Sequence, residues 1–142
     1  MRCKIVIPSL SRPNILKDRT LKLLLHHYFI DPKDIYIFII PSEWNDYHDM
    51  LEDIRRDGGN EINLITGLKG ISEQRGFISN FMKDGDFILT LDDDIKNIYE
   101  LDNGKLEPLF SLNAVNNKVF NLLEEGGTCG IYPCSNPFFM KN

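Results

Sequence analysis

The sequence predicts an α/β protein of three layers, a mostly parallel sheet covered by helices on both faces, and three observations predict it. Short runs rich in apolar and β-branched residues (Cys3 to Ile7, Ile35 to Ile40, Ile62 to Ile65 and Phe87 to Leu91) alternate with segments of helical periodicity. The first, second and fourth runs are nearly continuous in apolar residues, the pattern of strands buried on both faces. The fourth passes without a turn residue into three carboxylates, Asp92, Asp93 and Asp94. Crowded carboxylates at a strand end are costly unless a cation or several donors compensate them.

Each element follows from its local pattern. Pro8 closes the first strand, and Leu21, Leu24, Leu25 and Tyr28 fall at i, i+3, i+4 and i+7, which predicts a helix over Ile15 to Tyr28 stopped near Asp31-Pro32. The second strand leads to a helix with Trp44, Tyr47, Leu51 and Ile54 on its apolar face, Ser42 as N-cap and Gly58-Gly59 as its stop. Gly67 to Gly70 forms a loop into a helix over Ser72 to Met82, with Phe77, Ile78, Phe81 and Met82 facing inward. Past the fourth strand, Asp102-Asn103-Gly104 reads as a hairpin turn. Leu112 to Glu125 reads as a helix carrying Leu112, Val115, Val119, Leu122 and Leu123 on one side, with Gly126 just past its end, and Thr128 to Tyr132 as a last strand. Pro133 to Asn142 stops on an apolar run with no completed element. There is no repeat, low-complexity tract or linker, so residues 1–142 read as one domain.

With 142 residues, 42% apolar and 26% charged, the chain suits one domain with a real core. No stretch approaches the roughly 20 uninterrupted apolar residues of a bilayer span, and the N-terminus enters a strand-like run directly, so neither a membrane segment nor a leader is expected. Cys3, Cys129 and Cys134 are an odd count in no metal-ligand spacing, which fits a reducing compartment and a cytoplasmic location. The formal charge of −5 argues against a broad basic face for a nucleic-acid backbone. An anionic ligand then needs specific help, because a carboxylate repels a phosphate charge by about 4 kcal/mol at ~4 Å and an effective dielectric of ~20. A bridging divalent cation reverses that sign.

In an open parallel sheet, ligands bind outside the carboxyl ends of the strands. The residues there are Pro8, Ser9, Ser11 and Arg12 after the first strand, and Pro41, Ser42 and Glu43 after the second. Gly67, Lys69, Gly70, Gln74 and Arg75 follow the third, and Asp92, Asp93 and Asp94 the fourth. Arg12, Lys69 and Arg75 suit phosphate oxygens, Glu43 suits hydrogen bonds from a base or ribose, and the acids suit a hard divalent cation. Together they outline a nucleotide-diphosphate site. A bare D-x-D is weak evidence, since Asp84-Gly85-Asp86 also matches and reads as a turn. The bland readings are a solvated strand end for the acids, surface ion pairs for Arg12 and Arg75, and turn or cap roles for Ser9 and Ser11. His26 and His27 lie on a leucine-rich helix with no acid at ligand spacing, and Trp44 and Tyr47 read as core. With neither G-x-G-x-x-G nor G-x-x-x-x-G-K-[ST] present, the dinucleotide and P-loop readings lapse.

The order I-V-I-P-S-x-x-R (Ile5 to Arg12), I-I-P-S-E (Ile39 to Glu43), G-I-S-E-Q-R-G-F-I (Gly70 to Ile78) and I-L-T-L-D-D-D-I (Ile88 to Ile95) resembles glycosyltransferases of the GT-A fold. Within them it looks most like the viral and phage TET-associated glycosyltransferases, which are thought to add sugars to hydroxymethylated pyrimidines in DNA. The resemblance covers roughly the first hundred residues. It implies a Rossmann-like GT-A fold and a nucleotide-diphosphate sugar donor, with a DNA hydroxyl as possible acceptor and a viral host's cytoplasm as location. It further implies that Pro8, Ser9 and Arg12 line the nucleotide pocket, that Glu43 meets the base or ribose, and that Gly70 and Arg75 face the ribose and diphosphate. Asp92 and Asp94 would be the acids of the D-x-D motif, Asp92 nearer the ribose, on Mn²⁺ or Mg²⁺, with Asp93 between them at the nucleotide-sugar. Many family members carry Arg-Asn where this chain has Arg75-Gly76. The family's acceptor site and catalytic base usually lie in a C-terminal half, which is expected to be short or absent here.

Two further functions compete with a metal-dependent glycosyltransferase. One is a non-catalytic or incomplete nucleotide-sugar-binding module. The other is a phosphatase with an aspartyl nucleophile, which fares poorly because its acids usually end the first strand and are followed by Thr or Val, whereas here they end the fourth and continue Ile95-Lys96.

Overall fold

Four strands pair side by side in parallel in the order β3-β2-β1-β4: β1 (Lys4–Pro8), β2 (Ile35–Ile39), β3 (Asn63–Thr66) and β4 (Ile88–Thr90). The structure, a computed structural model, describes residues 3–123. The protein is thus α/β with a parallel sheet, as its alternating pattern predicts. The expected strand Thr128 to Tyr132, the end of the last helix with Gly126, and the stretch from Pro133 lie outside the described residues. Two compact units divide the chain, one ending at Lys96 and the other beginning at Asn97.

The first unit holds the parallel sheet. Its pairing register sets Val6 beside Tyr36 and Thr90, and Phe38 beside Pro8 and Ile65, so these share a face. On that face Val6, Phe38, Ile78 and Met82 form a buried cluster, flanked by Tyr36, Ile65, Phe77 and Ile88. Ile78 belongs to α3 (Ile71–Phe81), which therefore covers this side. Ile5, Ile7, Ile35, Ile37 and Ile39 alternate to the opposite face and are all buried. Buried there too are Leu16, Leu21 and Leu24 from the first helical segment, and Tyr47, Met50 and Leu51 from α2 (Trp44–Asp53). Right-handed crossovers explain this division: the chain moves one way from β1 to β3 and reverses to reach β4, which sends α3 to the other face.

Several elements depart from their sequence patterns. The first helix opens as α1 (Pro13–Leu16) with proline in its first turn, then widens into π-helical stretches over Lys17–Leu21 and Leu23–His27. The wider turn changes which residues face the sheet: Thr20, Leu21, Leu23, Leu24 and Tyr28 are buried, while Leu25 is only half-buried. Ser42 is not an N-cap, because it lies inside a 3₁₀ turn, Pro41–Glu43, that precedes α2. Trp44 is exposed and stacks on His48 at 4.5 Å instead of entering the core, since it occupies the first helical position, before the helix reaches the sheet. Phe81 is 44% exposed at the last residue of α3, although its ring meets Phe38 edge-on at 5.4 Å. Strand β4 is half-buried because it pairs only with β1 among the described residues. Its ladder still reaches Leu91, whose N–H donates to the Val6 carbonyl at 3.0 Å, and so delivers the chain to Asp92.

The second unit carries an antiparallel hairpin, β5 (Tyr99–Asp102) and β6 (Lys105–Pro108). Asn103 and Gly104 both take positive φ, at 47° and 77°, the two left-handed residues a tight primed turn requires. Helix α4 (Leu112–Leu123) buries Leu112 and Asn116, whereas Leu122 is exposed despite falling on the predicted apolar side.

At the amino edge of the sheet, Lys4 Nζ donates to Asp86 Oδ2 at 2.6 Å and sits 5.8 Å over the Tyr36 ring. The hydrogen bond from Lys4 holds the Asp86 carboxyl below its ordinary value of 3.8, and the same bond raises Lys4 above 10.5. A lowered acid stabilises the fold above its unfolded pKa and loses that contribution as pH falls through the folded one, and a raised base mirrors this at high pH. Lys4→Met is therefore expected to lower the urea midpoint at pH 7 and to lower it less as the pH falls through the acid range. A loss that does not change with pH would contradict the assignment. Phe38→Ala, at a wholly buried ring, is expected to cost about 3–5 kcal/mol in urea denaturation; less than 1 kcal/mol would remove Phe38 from the core.

Candidate functional site

The strand order reverses between β1 and β4, and the carboxyl ends of strands flanking such a reversal leave a crevice that neither crossover covers. A cavity of about 460 Å³ opens there. Pro8, Ser9 and Arg12 from the end of β1, Asp92 and Asp93 from the end of β4, and Gly70 and Arg75 from the start of α3 all line it. Seven predicted residues, scattered over 86 positions, thus come together. Leu10, Ile40, Leu68 and Ile71 add an apolar wall, with Leu10 and Leu68 each half exposed.

Asp93 organises the polar side. It is 1% exposed, and Ser9 Oγ donates to its Oδ2 at 2.6 Å. Its other oxygen, Oδ1, accepts no well-angled hydrogen bond from the described residues; the Arg12 guanidinium lies 2.5 Å away and supplies opposite charge. Arg12 also reaches Asp94 Oδ2 at a long 3.4 Å, where both side chains are partly exposed, so this second contact is weak. One guanidinium therefore faces two carboxylates, with Asp92 exposed beside them on the cavity wall.

Behind Ser9 stands Tyr47, a residue the sequence pattern assigned to packing alone. The ring is wholly buried, as expected, but the hydroxyl meets Ser9 Oγ at 2.7 Å and accepts from the Arg12 backbone N–H at 3.2 Å. Burial pushes the Tyr47 hydroxyl above its ordinary value, against the pull of Ser9 and the Arg12 amide, so it keeps its proton. Because the one Ser9 proton goes to Asp93, Tyr47 must donate to Ser9, which gives a directed chain from Tyr47 through Ser9 to Asp93. No pattern in the sequence marks this pairing, because the two residues are 38 positions apart.

Glu43 stands elsewhere. It does not line the cavity; its two oxygens accept from the Ser11 N–H, at 2.9 Å, and from the Ser11 hydroxyl. Ser11 adopts φ +55°, an uncommon conformation outside glycine that the two hydrogen bonds to Glu43 support. The pair braces the turn that carries Ser9 and Arg12. Lys69 also falls outside the lining, whereas Gln74 lines the cavity and holds the approach loop by accepting from the Leu68 N–H at 2.7 Å. Gly70 takes φ +106° at the entry to α3, a value that side chains rarely adopt.

His26 and His27 are exposed, His26 lying 3.5 Å from Asp57 and His27 edge-on to Tyr28. Cys3, half-buried, has its thiol pushed up to about 11, mainly by burial, which makes it a poor nucleophile. No helix among the described residues is long and apolar enough to cross a membrane. The chain matches no protein-family model, no curated protein and no solved structure.

Tyr47→Phe is expected to destabilise the fold by about 1–3 kcal/mol in urea denaturation, because it leaves the Arg12 amide and the Ser9 oxygen without their partner. An unchanged midpoint would show that the chain from Tyr47 to Asp93 contributes nothing.

Proposed function

We propose that this cavity binds a nucleotide-diphosphate sugar together with a divalent cation, and that the protein is a metal-dependent glycosyltransferase transferring the sugar to an acceptor hydroxyl. The observation that carries this reading is one cavity with carboxylates from the end of β4 on one wall and Arg12 and Arg75 within the same lining. An anionic diphosphate and a hard cation need opposite charges side by side, and few other ligands do.

The residues present fit such a pair. Asp92 lines the cavity and Asp94 stands two residues on, outside the lining; these less buried acids of the triplet offer oxygen donors suited to Mn²⁺ or Mg²⁺. Asp93 is held by Ser9 and Arg12, so its role is to orient Arg12 rather than to take the cation. When bound, the cation supplies Lewis-acid stabilisation of charge on the departing phosphate. Arg12 and Arg75 bind phosphate oxygens, and the first turn of α3, whose opening amides lack helical partners, adds donors beside them. Leu10, Leu68 and Ile71 suit the flat face of a base or sugar and exclude water from it. A hydroxymethylated pyrimidine in DNA is the acceptor that the sequence resemblance suggests. No residue is assigned as catalytic base.

Calorimetric titration with UDP in the presence of Mn²⁺ tests the reading. Binding is expected for the wild-type chain, at least tenfold weaker for Asp94→Ala and Arg12→Ala, and lost without the metal. Absence of binding by folded protein, across a panel of nucleotide sugars, overturns it. Binding without transfer or hydrolysis would favour a non-catalytic nucleotide-sugar module.

A further inference from the structure

Thr20 is wholly buried in the first π-helical stretch, and its side chain bonds outside its own helix. Its hydroxyl donates to the Asp92 carbonyl at 2.9 Å and accepts from the Ile95 N–H at 2.9 Å. Those two backbone groups stand at the first and fourth positions of Asp92-Asp93-Asp94-Ile95, the pair that closes a β-turn. One hydroxyl from a different element therefore ties both ends of the turn that carries all three acids.

The local structure suits this role. A buried threonine in a helix ordinarily turns its hydroxyl back to a carbonyl of the preceding turn. Here the wider π-helical turn carries Thr20, and such turns are concentrated at functional sites. β-Branching adds stiffness, since χ1 has few allowed values. The contact also joins the helix after β1 to the loop after β4, the two strands that flank the cavity.

We propose that Thr20 is the positioning residue of the acid triplet: by holding the Asp92 carbonyl and the Ile95 amide, it sets the directions in which the Asp92 and Asp94 side chains leave the turn. Its consequence is the cation affinity of the site, a consequence that rests on the cation-dependent reading above. Oxygen ligands of Mg²⁺ or Ca²⁺ sit within a few tenths of an ångström of fixed distances, and a turn free to change its backbone angles moves its carboxylates by more than that. Partners behind the ligands typically govern about 10- to 100-fold in metal affinity.

Two substitutions separate this role from packing. Thr20→Val keeps the shape and removes both hydrogen bonds; Thr20→Ser keeps the hydroxyl and removes the methyl. With Mn²⁺ alone as the probe, followed by electron paramagnetic resonance, Thr20→Val is expected to bind about tenfold or more weakly than wild type, with Thr20→Ser close to wild type. Hydrogen exchange of the Ile95 amide is expected to quicken in Thr20→Val and not in Thr20→Ser, while the Leu91 amide, bonded to Val6, keeps its protection. Wild-type affinity in Thr20→Val, or a tenfold loss in Thr20→Ser, overturns the role of Thr20 alone. Wild-type protein that binds no Mn²⁺ overturns the cation reading of the site and the role of Thr20 with it.

Discussion

A carboxylate sealed from water has to be answered by charge and hydrogen bonds, and Asp93 is the place where this chain meets that demand. Its 1% exposure makes an uncompensated charge prohibitive. Ser9 answers one oxygen and Arg12 the other, Tyr47 fixes the Ser9 hydroxyl, and the Arg12 backbone is tied to Tyr47 in turn. The buried acid thus locks the loop after β1 against the turn after β4. Remove it, and the Ser9 hydroxyl and the Arg12 guanidinium lose the partner that ties them to this turn, whose two ends are left to Thr20.

The sheet makes that meeting unavoidable. Once the chain has passed from β1 through β2 to β3 and returned over the other face to β4, the ends of the first and last of these strands are neighbours. The start of α3 completes the crevice because helices in βα units begin at the carboxyl edge. Charge is then concentrated by topology: residues 8–12, 70–75 and 92–94 share one edge, while the opposite edge carries the Lys4–Asp86 pair. The Glu43–Ser11 and Thr20–Asp92 contacts brace this edge from behind, outside the cavity.

Much of the architecture was legible because it depends on local pattern. Apolar runs of β-branched residues form β1 and β2 where expected, and Asn103-Gly104 forms its turn, since positive φ at successive residues is a local property. The acids were legible as a cluster because nothing but a strand precedes them. Errors fell where tertiary context overrides pattern. Trp44 has an apolar ring but sits too early in α2 to reach the core, and the first helix keeps an α-like spacing of leucines while it winds partly as π. Glu43 was legible as a strand-end acid; only the left-handed turn at Ser11 shows that its oxygens are engaged.

By itself the sequence determined the class of the fold, the edge of the sheet on which polar residues gather, and the chemical types found there, because strand and helix periods and the rule of carboxyl ends are written in neighbouring residues. Tertiary structure alone decided which of three adjacent acids is buried, which arginine answers it, and that Tyr47 and Thr20 bond to the loops that carry these residues. Those outcomes depend on contacts across 35 to 84 positions of chain, whose geometry exists only after the sheet has formed.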